Sequence, residues 1–539
     1  MGDERRTTPA SLRYAFLAFG AAAMLFAVGG RWDLPLAAWI FPVLLLRFTR
    51  TGRAWSGTLW ILLANIAAAV FWVYESALGF NAVILAGAAG LGLVQTLPFL
   101  LDRLLVGRLH PWPATLVFPA AVAGAEFLIT LLSPFGTAYG SLTVTQYGDL
   151  PLLQVTSITG SYGIGFLIAW LASTVNRFWE RPSRRSARGG LVYGAVMAAV
   201  LLGGGARLAL LPDESATVRI AGVSPGRDVL AAQQAAIGRI DGGRREIAAA
   251  PASQVEPAMR AVEDQLLALT RREADAGAKI VIWPEEAVRT QETSESTTIA
   301  AARKQARESR IYLEIGLGVY STTGPAYGRD EALLIGPDGK VQWTYQKAHP
   351  IPGSEPFTPG DGRVPVVATP YGRIANVICY DADFPDLMRV RADIMLVPSH
   401  DWREYGGPHT EKAALRAVEG GYALVRQDAE GVSAAFDDRG HVLATTDSLT
   451  TDPQTTVAYV PTRGATTVYD LVGDTFAWLC LAAVGALAVI ALVRPRRERA
   501  GGSPSARHPA ARGGDGRGQA DGAQQREVQA VDRAGSGGR

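Results

Sequence analysis

Three side chains suited to acyl transfer stand at the ends of short apolar runs. Glu285 follows Ile280-Val281-Ile282-Trp283-Pro284, Lys347 follows Val341-Gln342-Trp343-Thr344-Tyr345-Gln346, and Cys379 follows Ile374-Ala375-Asn376-Val377-Ile378. Such runs read as buried strands, and in layered α/β folds strand ends present reactive groups to a cleft. One carboxylate, one ammonium and one thiol would then share a site. The thiol can form a covalent thioester, splitting a hard step in two, provided that a base removes its proton. A carboxylate in a partly apolar pocket can take that proton and return it to a leaving group. The Lys347 ammonium, beside the backbone N–H of Tyr380, can stabilise the oxyanion of a tetrahedral intermediate. Each residue also has a plainer reading. A lone cysteine is usually a small buried hydrophobe, a glutamate after Trp-Pro can cap a helix, and most lysines are solvated. Cys480, between Leu479 and Leu481 in an apolar run, fits that plainer case.

The elements around these positions form one α/β domain over 212–466. Strand-like segments occur at 217–223, 278–283, 311–319, 331–335, 340–346, 373–380 and 392–397, with helical patterns at 255–276 and 409–421. Hairpin signals stand at Pro337-Asp338-Gly339 and Asp438-Arg439-Gly440. Outside this domain the composition changes. Over the 539 residues, 48% are hydrophobic, only 19% are charged, and mean hydropathy is +0.12, which a purely cytosolic enzyme would not show. Apolar stretches at about 13–30, 34–48, 55–74, 79–101, 112–132, 160–176 and 190–211 predict a bundle of about seven transmembrane helices over 1–211. One more span is expected in 467–494, and a disordered basic cytoplasmic tail over 495–539.

Arginines sort by side. Arg5, Arg6 and Arg13, then Arg47, Arg50 and Arg53, then Arg103 and Arg108, then Arg177, Arg181, Arg184, Arg185 and Arg188 all fall in loops on one side. Cytoplasmic loops carry the excess of Lys and Arg, so both termini are expected inside and the α/β domain outside the cytoplasm. Net charge is +2, from 52 basic and 50 acidic side chains, which gives no sign of nucleic acid. Two cysteines and six histidines, without HExxH or paired-His spacing, argue against a disulfide-stapled fold and a metal centre. Glu126, inside the fifth apolar stretch, is either a polar anchor for the bundle or a lipid headgroup, or a structural hydrogen bond between helices.

Trp283-Pro284-Glu285, Tyr345-Gln346-Lys347 and Ile378-Cys379-Tyr380-Asp381-Ala382-Asp383-Phe384-Pro385, in that order, resemble the Glu-Lys-Cys signature of the nitrilase (carbon–nitrogen hydrolase) superfamily. With seven spans before the domain and one after it, the chain resembles the apolipoprotein N-acyltransferase family over about residues 10–495. Ser133-Pro134-Phe135-Gly136, Gly160-Ser161-Tyr162-Gly163, Asp401-Trp402, Gly407-Pro408-His409 and Arg416-Ala417-Val418-Glu419 agree with that resemblance. It implies an αββα sandwich, a catalytic Glu285, Lys347 and Cys379, and a supporting Glu355 beside the lysine, with Tyr380 and Asp381 after the nucleophile. It further implies a phospholipid acyl donor, a diacylglyceryl lipoprotein acceptor, no cofactor, and a monomer in the bacterial inner membrane.

Several positions depart from the family pattern. Asp381 replaces a glutamate, the stretch 348–357 differs after the lysine, Ser224-Pro225-Gly226-Arg227 replaces a Gln-Gly-Asn turn, and Ser399-His400 and 428–431 are altered. Two other functions therefore stand beside the acyltransferase. One is a membrane-tethered amidase resolving the same thioester with water. The other is a non-catalytic binding protein, against which the intact Glu285, Lys347 and Cys379 argue.

Overall fold

The structure, a computed structural model, describes residues 9–210 and 216–493. The expected tail over 495–539, with Arg5 and Arg6, lies outside the described residues. Helices Ala10–Met24, Pro35–Thr51, Ala54–Glu75, Ala82–Leu105, Val117–Leu132, Tyr162–Glu180 and Arg184–Leu210 precede the α/β domain, and Thr475–Val493 follows it. Five stretches are long and apolar enough to cross a membrane: Ala54–Glu75, Ala82–Arg108, Pro111–Leu132, Arg184–Leu210 and Thr475–Val493. The first two helices, of 15 and 17 residues, fall short of the roughly 20 that a crossing takes.

Leu150–Thr159 and Tyr162–Glu180 pass the same test only as a pair, bent by 113°. The break falls at Gly160, whose φ of +64° disfavours any side chain and whose Cβ would come within 2.6 Å of the Tyr469 ring. Inside the bundle, several polar groups pair with one another, as an apolar surrounding favours. Arg50 makes two bonds to Asp102 at 2.7 and 2.8 Å, and the Asn65 amide donates to Thr96 at 3.0 Å. Glu126 accepts the Leu142 N–H at 3.1 Å, so it ties a helix to the loop above it.

The α/β domain is built on two sheets. The first runs β13-β1-β2-β4-β5-β6, with β1 Thr217–Val223, β2 Ile280–Ile282, β4 Tyr312–Tyr320, β5 Gly328–Ile335, β6 Val341–Gln346 and β13 Thr455–Pro461; β3, Val288–Gln291, pairs with β4. The second runs β12-β11-β10-β9-β8-β7, with β7 Val366–Thr369, β8 Gly372–Asn376, β9 Ile394–Ser399, β10 Ala423–Asp428, β11 Val432–Phe436 and β12 Val442–Asp447. Both centres are parallel, β1-β2-β4 in one sheet and β8-β9-β10 in the other. Parallel strands are covered on both faces, which is why they read as unbroken apolar runs.

Ile220, Ile282, Leu334, Ile374, Leu396 and Val425 fill the space between the sheets. Helices Ala252–Asp275 and Glu295–Ser309 cover the outer face of the first sheet. Helix Gly406–Gly420 covers that of the second, and its cluster continues into the bundle. The order of layers is helix, sheet, sheet, helix. The two Gly-containing turns read from the sequence join β5 to β6 and β11 to β12. One element ends earlier than its apolar run suggests: β8 stops at Asn376, because the chain leaves the sheet to turn at Cys379.

Helix Gly406–Gly420 fastens the domain to the bundle through buried charges. Lys412 donates to the Ala138 carbonyl at 2.8 Å, and Arg416 donates to Thr137 at 3.0 Å and pairs with Glu419. Thr137 in turn donates its N–H to the Asp383 carbonyl at 2.8 Å. Gly136, at φ +52°, permits this approach: a Cβ there would lie 2.5 Å from the Asp383 oxygen. Removing one partner of a buried ion pair costs about 3–5 kcal/mol. Arg416→Ala should therefore lower the thermal unfolding temperature of the detergent-solubilised protein sharply, and Arg416→Lys less so.

Candidate active site

Glu285, Lys347 and Cys379 come together between the two sheets. Glu285 lies three residues beyond β2, Lys347 directly follows β6, and Cys379 lies three residues beyond β8. Their exposures are 2%, 0% and 1%, so the cluster is buried. The Lys347 Nζ donates to Glu285 Oε1 at 2.6 Å and to Glu355 Oε2 at 2.6 Å, with Asp330 Oδ2 at 3.8 Å. Glu355 accepts the Ile351 N–H as well, at 2.9 Å, which fixes the loop after the lysine. An ammonium has three N–H groups. Two are committed to carboxylates, and the third remains for a ligand.

The charges in this pocket are set by burial and by one another. Burial alone would raise the Glu285 carboxyl, but the Lys347 ammonium and a hydrogen bond from Asp330 hold it below the usual carboxylate value. Burial alone would lower Lys347, but Glu285 and Glu355 hold it well above its ordinary value. Asp330 is pushed well above the carboxylate range by burial and by the charge of Glu285. If every carboxyl were ionised, Glu285 Oε2 and both Asp330 oxygens would be buried with nothing to bond. A protonated Asp330 donating to Glu285 gives a partner to one oxygen of each.

Cys379 sits at φ +47°, a left-handed conformation costly for a side chain with a Cβ. Such strain persists only where the surroundings over-determine it. Here Asn376, with its amide turned toward β4, donates to Glu314 at 2.7 Å across the sheets, and the turn begins just beyond it. Burial, then the charges of Glu285 and Asp401, push the Cys379 thiol well above its ordinary value. The thiol therefore rests protonated, its Sγ 3.9 Å from Asp401 Oδ1.

Asp401, His409 and Arg426 form a second group beside the sulfur. His409 Nδ1 lies 2.8 Å from Asp401 and its Nε2 3.1 Å from Asp383. Arg426 Nη2 lies 2.6 Å from Asp401 and 2.9 Å from His409. Cys379, Asp401 and His409 could present metal ligands within 4.8 Å of one another. The Arg426 guanidinium already supplies the positive charge there, and with His409 it holds Asp401 well below the carboxylate range against the opposite pull of burial.

The supporting residues have distinct places. Asp381 accepts the Tyr345 hydroxyl at 2.8 Å, the Ala348 N–H at 3.2 Å and the His349 N–H at 2.7 Å, so it braces the segment carrying Lys347. The Tyr380 hydroxyl donates to the Pro134 carbonyl of the bundle at 3.3 Å. Of the other histidines, His349 stacks on Phe384 at 3.6 Å and His400 pairs with Glu430 at 3.0 Å. Asp330, Asp401 and Arg426 were not singled out from the sequence as site residues. Only Asp401 carried a signal, as the start of Asp401-Trp402. A thiol held above its ordinary value predicts that iodoacetamide modifies Cys379 at pH 8 more slowly than it modifies an exposed cysteine, with the rate still rising above pH 9. Mass spectrometry of the labelled peptide measures it.

Residues 246–467 match the carbon-nitrogen hydrolase family, and residues 15–174 match the apolipoprotein N-acyltransferase N-terminal domain. An apolipoprotein N-acyltransferase of Geobacter metallireducens is 27% identical over 406 residues, covering 69% of this chain and 72% of that protein. One from Synechocystis is 28% identical over 196 residues, covering 31% of this chain and 37% of that protein. A formamidase of Bradyrhizobium is 33% identical over 92 residues, covering 17% of this chain and 27% of that protein. The formamidase resemblance is short, whereas the Geobacter alignment exceeds the length of either matched domain alone. With both domains present in one polypeptide, the chain belongs to the apolipoprotein N-acyltransferase family of the carbon–nitrogen hydrolase superfamily.

Proposed function

We propose that the protein transfers a fatty acyl chain from a phospholipid, through a Cys379 thioester, to the N-terminal amine of the diacylglyceryl-cysteine of an apolipoprotein. It works as a monomer in the bacterial inner membrane, with 212–466 on the periplasmic side and both termini in the cytoplasm. The observation that carries this reading is a buried, strained thiol beside a Glu–Lys–Glu cluster, on a loop hydrogen-bonded to the membrane helices. A soluble substrate would not call for that attachment. A groove of about 420 Å³, lined by Phe127, Leu131, Pro134, His349 and Phe384 among others, lies where the bundle meets the turns that carry Lys347 and Cys379. It supports lateral access for a lipid.

In the first half-reaction Glu285 takes the thiol proton as sulfur attacks the ester carbonyl. The third Lys347 N–H and the Tyr380 backbone N–H receive the oxyanion. Collapse breaks the carbon–oxygen bond, and Glu285 returns its proton to the departing lysophospholipid oxygen. In the second half-reaction the amine attacks the thioester, Glu285 takes a proton from nitrogen, and the Cys379 sulfur leaves and is reprotonated. Asp330 positions Glu285 and spends no proton.

Incubation with phosphatidylethanolamine should add a fatty-acyl mass to the wild type, removed by hydroxylamine, and none to Cys379→Ala. A folded wild-type sample without that increment overturns the reading. Free fatty acid released at the same rate with and without a diacylglyceryl peptide favours a hydrolase instead. Lys347→Ala should slow acylation by about 2.7–4 kcal/mol, the cost of losing an oxyanion donor. Asp330→Asn keeps a donor to Glu285 and should acylate within a few-fold of wild type. Asp330→Ala should lose about 1.5–3 kcal/mol, as for a hydrogen bond to a charged group.

A further inference from the structure

The far end of the bundle carries a second cavity, of about 290 Å³, whose lining includes Arg177, Arg181, Arg185, His110, Trp112 and Trp170. Arg177 stands 15 residues along its helix from Tyr162, next to Ser161, whose hydroxyl donates to Glu419 of the α/β domain; at 1.5 Å per residue that is about 22 Å. The cavity is thus remote from Cys379. Its three guanidinium groups form no ion pair among the described residues, whereas the neighbouring Glu180 lies 3.6 Å from Arg50. Its other wall is apolar and fixed. Trp170 is buried and meets Tyr193 edge-on at 5.5 Å, while Trp112 is 45% exposed.

From this geometry we propose that the cavity binds the headgroup of an anionic phospholipid in the leaflet opposite the active site. Unpaired arginines at helix ends supply the charge for a phosphodiester, and basic pockets between membrane helices suit such headgroups. Tryptophans sit at headgroup depth, where a ring can meet glycerol carbons on one side and water on the other. The volume equals roughly ten waters, enough for a glycerophosphate head. A free phosphate would satisfy the arginines but leave the tryptophan wall wet, so the lipid is the better occupant.

The test uses the full chain, stripped of lipid in detergent and titrated with dioleoyl-phosphatidylglycerol or dioleoyl-phosphatidylcholine, with native mass spectrometry counting bound lipid. Wild type should retain one phosphatidylglycerol at least tenfold more tightly than phosphatidylcholine. Each arginine near a headgroup contributes about fivefold, so Arg177→Gln/Arg181→Gln/Arg185→Gln should weaken retention on the order of a hundredfold. The triple lysine variant should keep most of it. Equal retention of the two lipids, unchanged retention by the glutamine variant, or displacement by millimolar inorganic phosphate overturns the proposal. Should the triple glutamine variant fail to fold, the exposed Arg181→Gln alone should weaken retention about fivefold, and no change there overturns it too. Acylation of Cys379, measured on the same samples, reports separately on the proposed enzymatic activity.

Discussion

A single ammonium buried among three carboxyls governs the active site. Lys347 cannot remain charged at 0% exposure without Glu285 and Glu355, and Glu285 cannot remain charged without Lys347. The two acids nearest the lysine therefore do different work from Asp330, which is driven to its neutral form and becomes a donor. That division leaves a carboxylate, an ammonium and a protonated thiol buried together. Asp401 and Arg426 repeat the arrangement on the other side of the sulfur, with opposite emphasis: there the anion is pinned by a guanidinium and takes no proton. Carboxyls within a short reach of one thiol thus acquire distinct protonation states from their neighbours alone.

The second constraint is mechanical. The turn that begins at Cys379 continues directly into Asp383 and Phe384, which touch the bundle loop at Thr137 and Gly136. Cys379 is consequently fixed to that loop of the bundle by the same few residues that fix it to the sheet. Helix Gly406–Gly420 completes the clamp, with Lys412 and Arg416 reaching into that loop and Trp402 donating to the Ser76 carbonyl at 2.6 Å. At Gly136 the Asp383 backbone, and at Gly160 the Tyr469 ring, leaves no room for a side chain.

Much of this was legible in the sequence because parallel strands write themselves as apolar runs, and because polar residues directly after such runs are conspicuous. Glu285, Lys347 and Cys379 could be placed at strand ends for that reason. The early end of β8 could not be, since Val377 and Ile378 are as apolar as the strand before them and only the left-handed turn at Cys379 separates them from it. Asp330 was hidden inside β5, where a charged residue looks like an outward-facing one. Arg426 was hidden likewise in β10. The departures from the family pattern also acquire a common location: Gln427 bonds to Ser224, Asp428 accepts the N–H groups of Asp401 and Gly431, and His400 pairs with Glu430. These altered segments meet in space and answer one another, which no reading of separate segments can reveal. Asp381 departs from the family glutamate and still closes three hydrogen bonds around the Lys347 segment.

The closed proton inventory of the pocket has an electrical consequence. On the proposed mechanism, with a neutral thiol, an anionic Glu285 and a cationic Lys347, the three groups sum to zero before reaction. In the tetrahedral intermediate the oxyanion replaces the carboxylate as the negative partner, and in the thioester the carboxylate has returned, so the sum stays at zero throughout both half-reactions. No ion has to enter from water to balance a step. A cycle of that kind moves almost no net charge, and its rate should be indifferent to a voltage across the membrane.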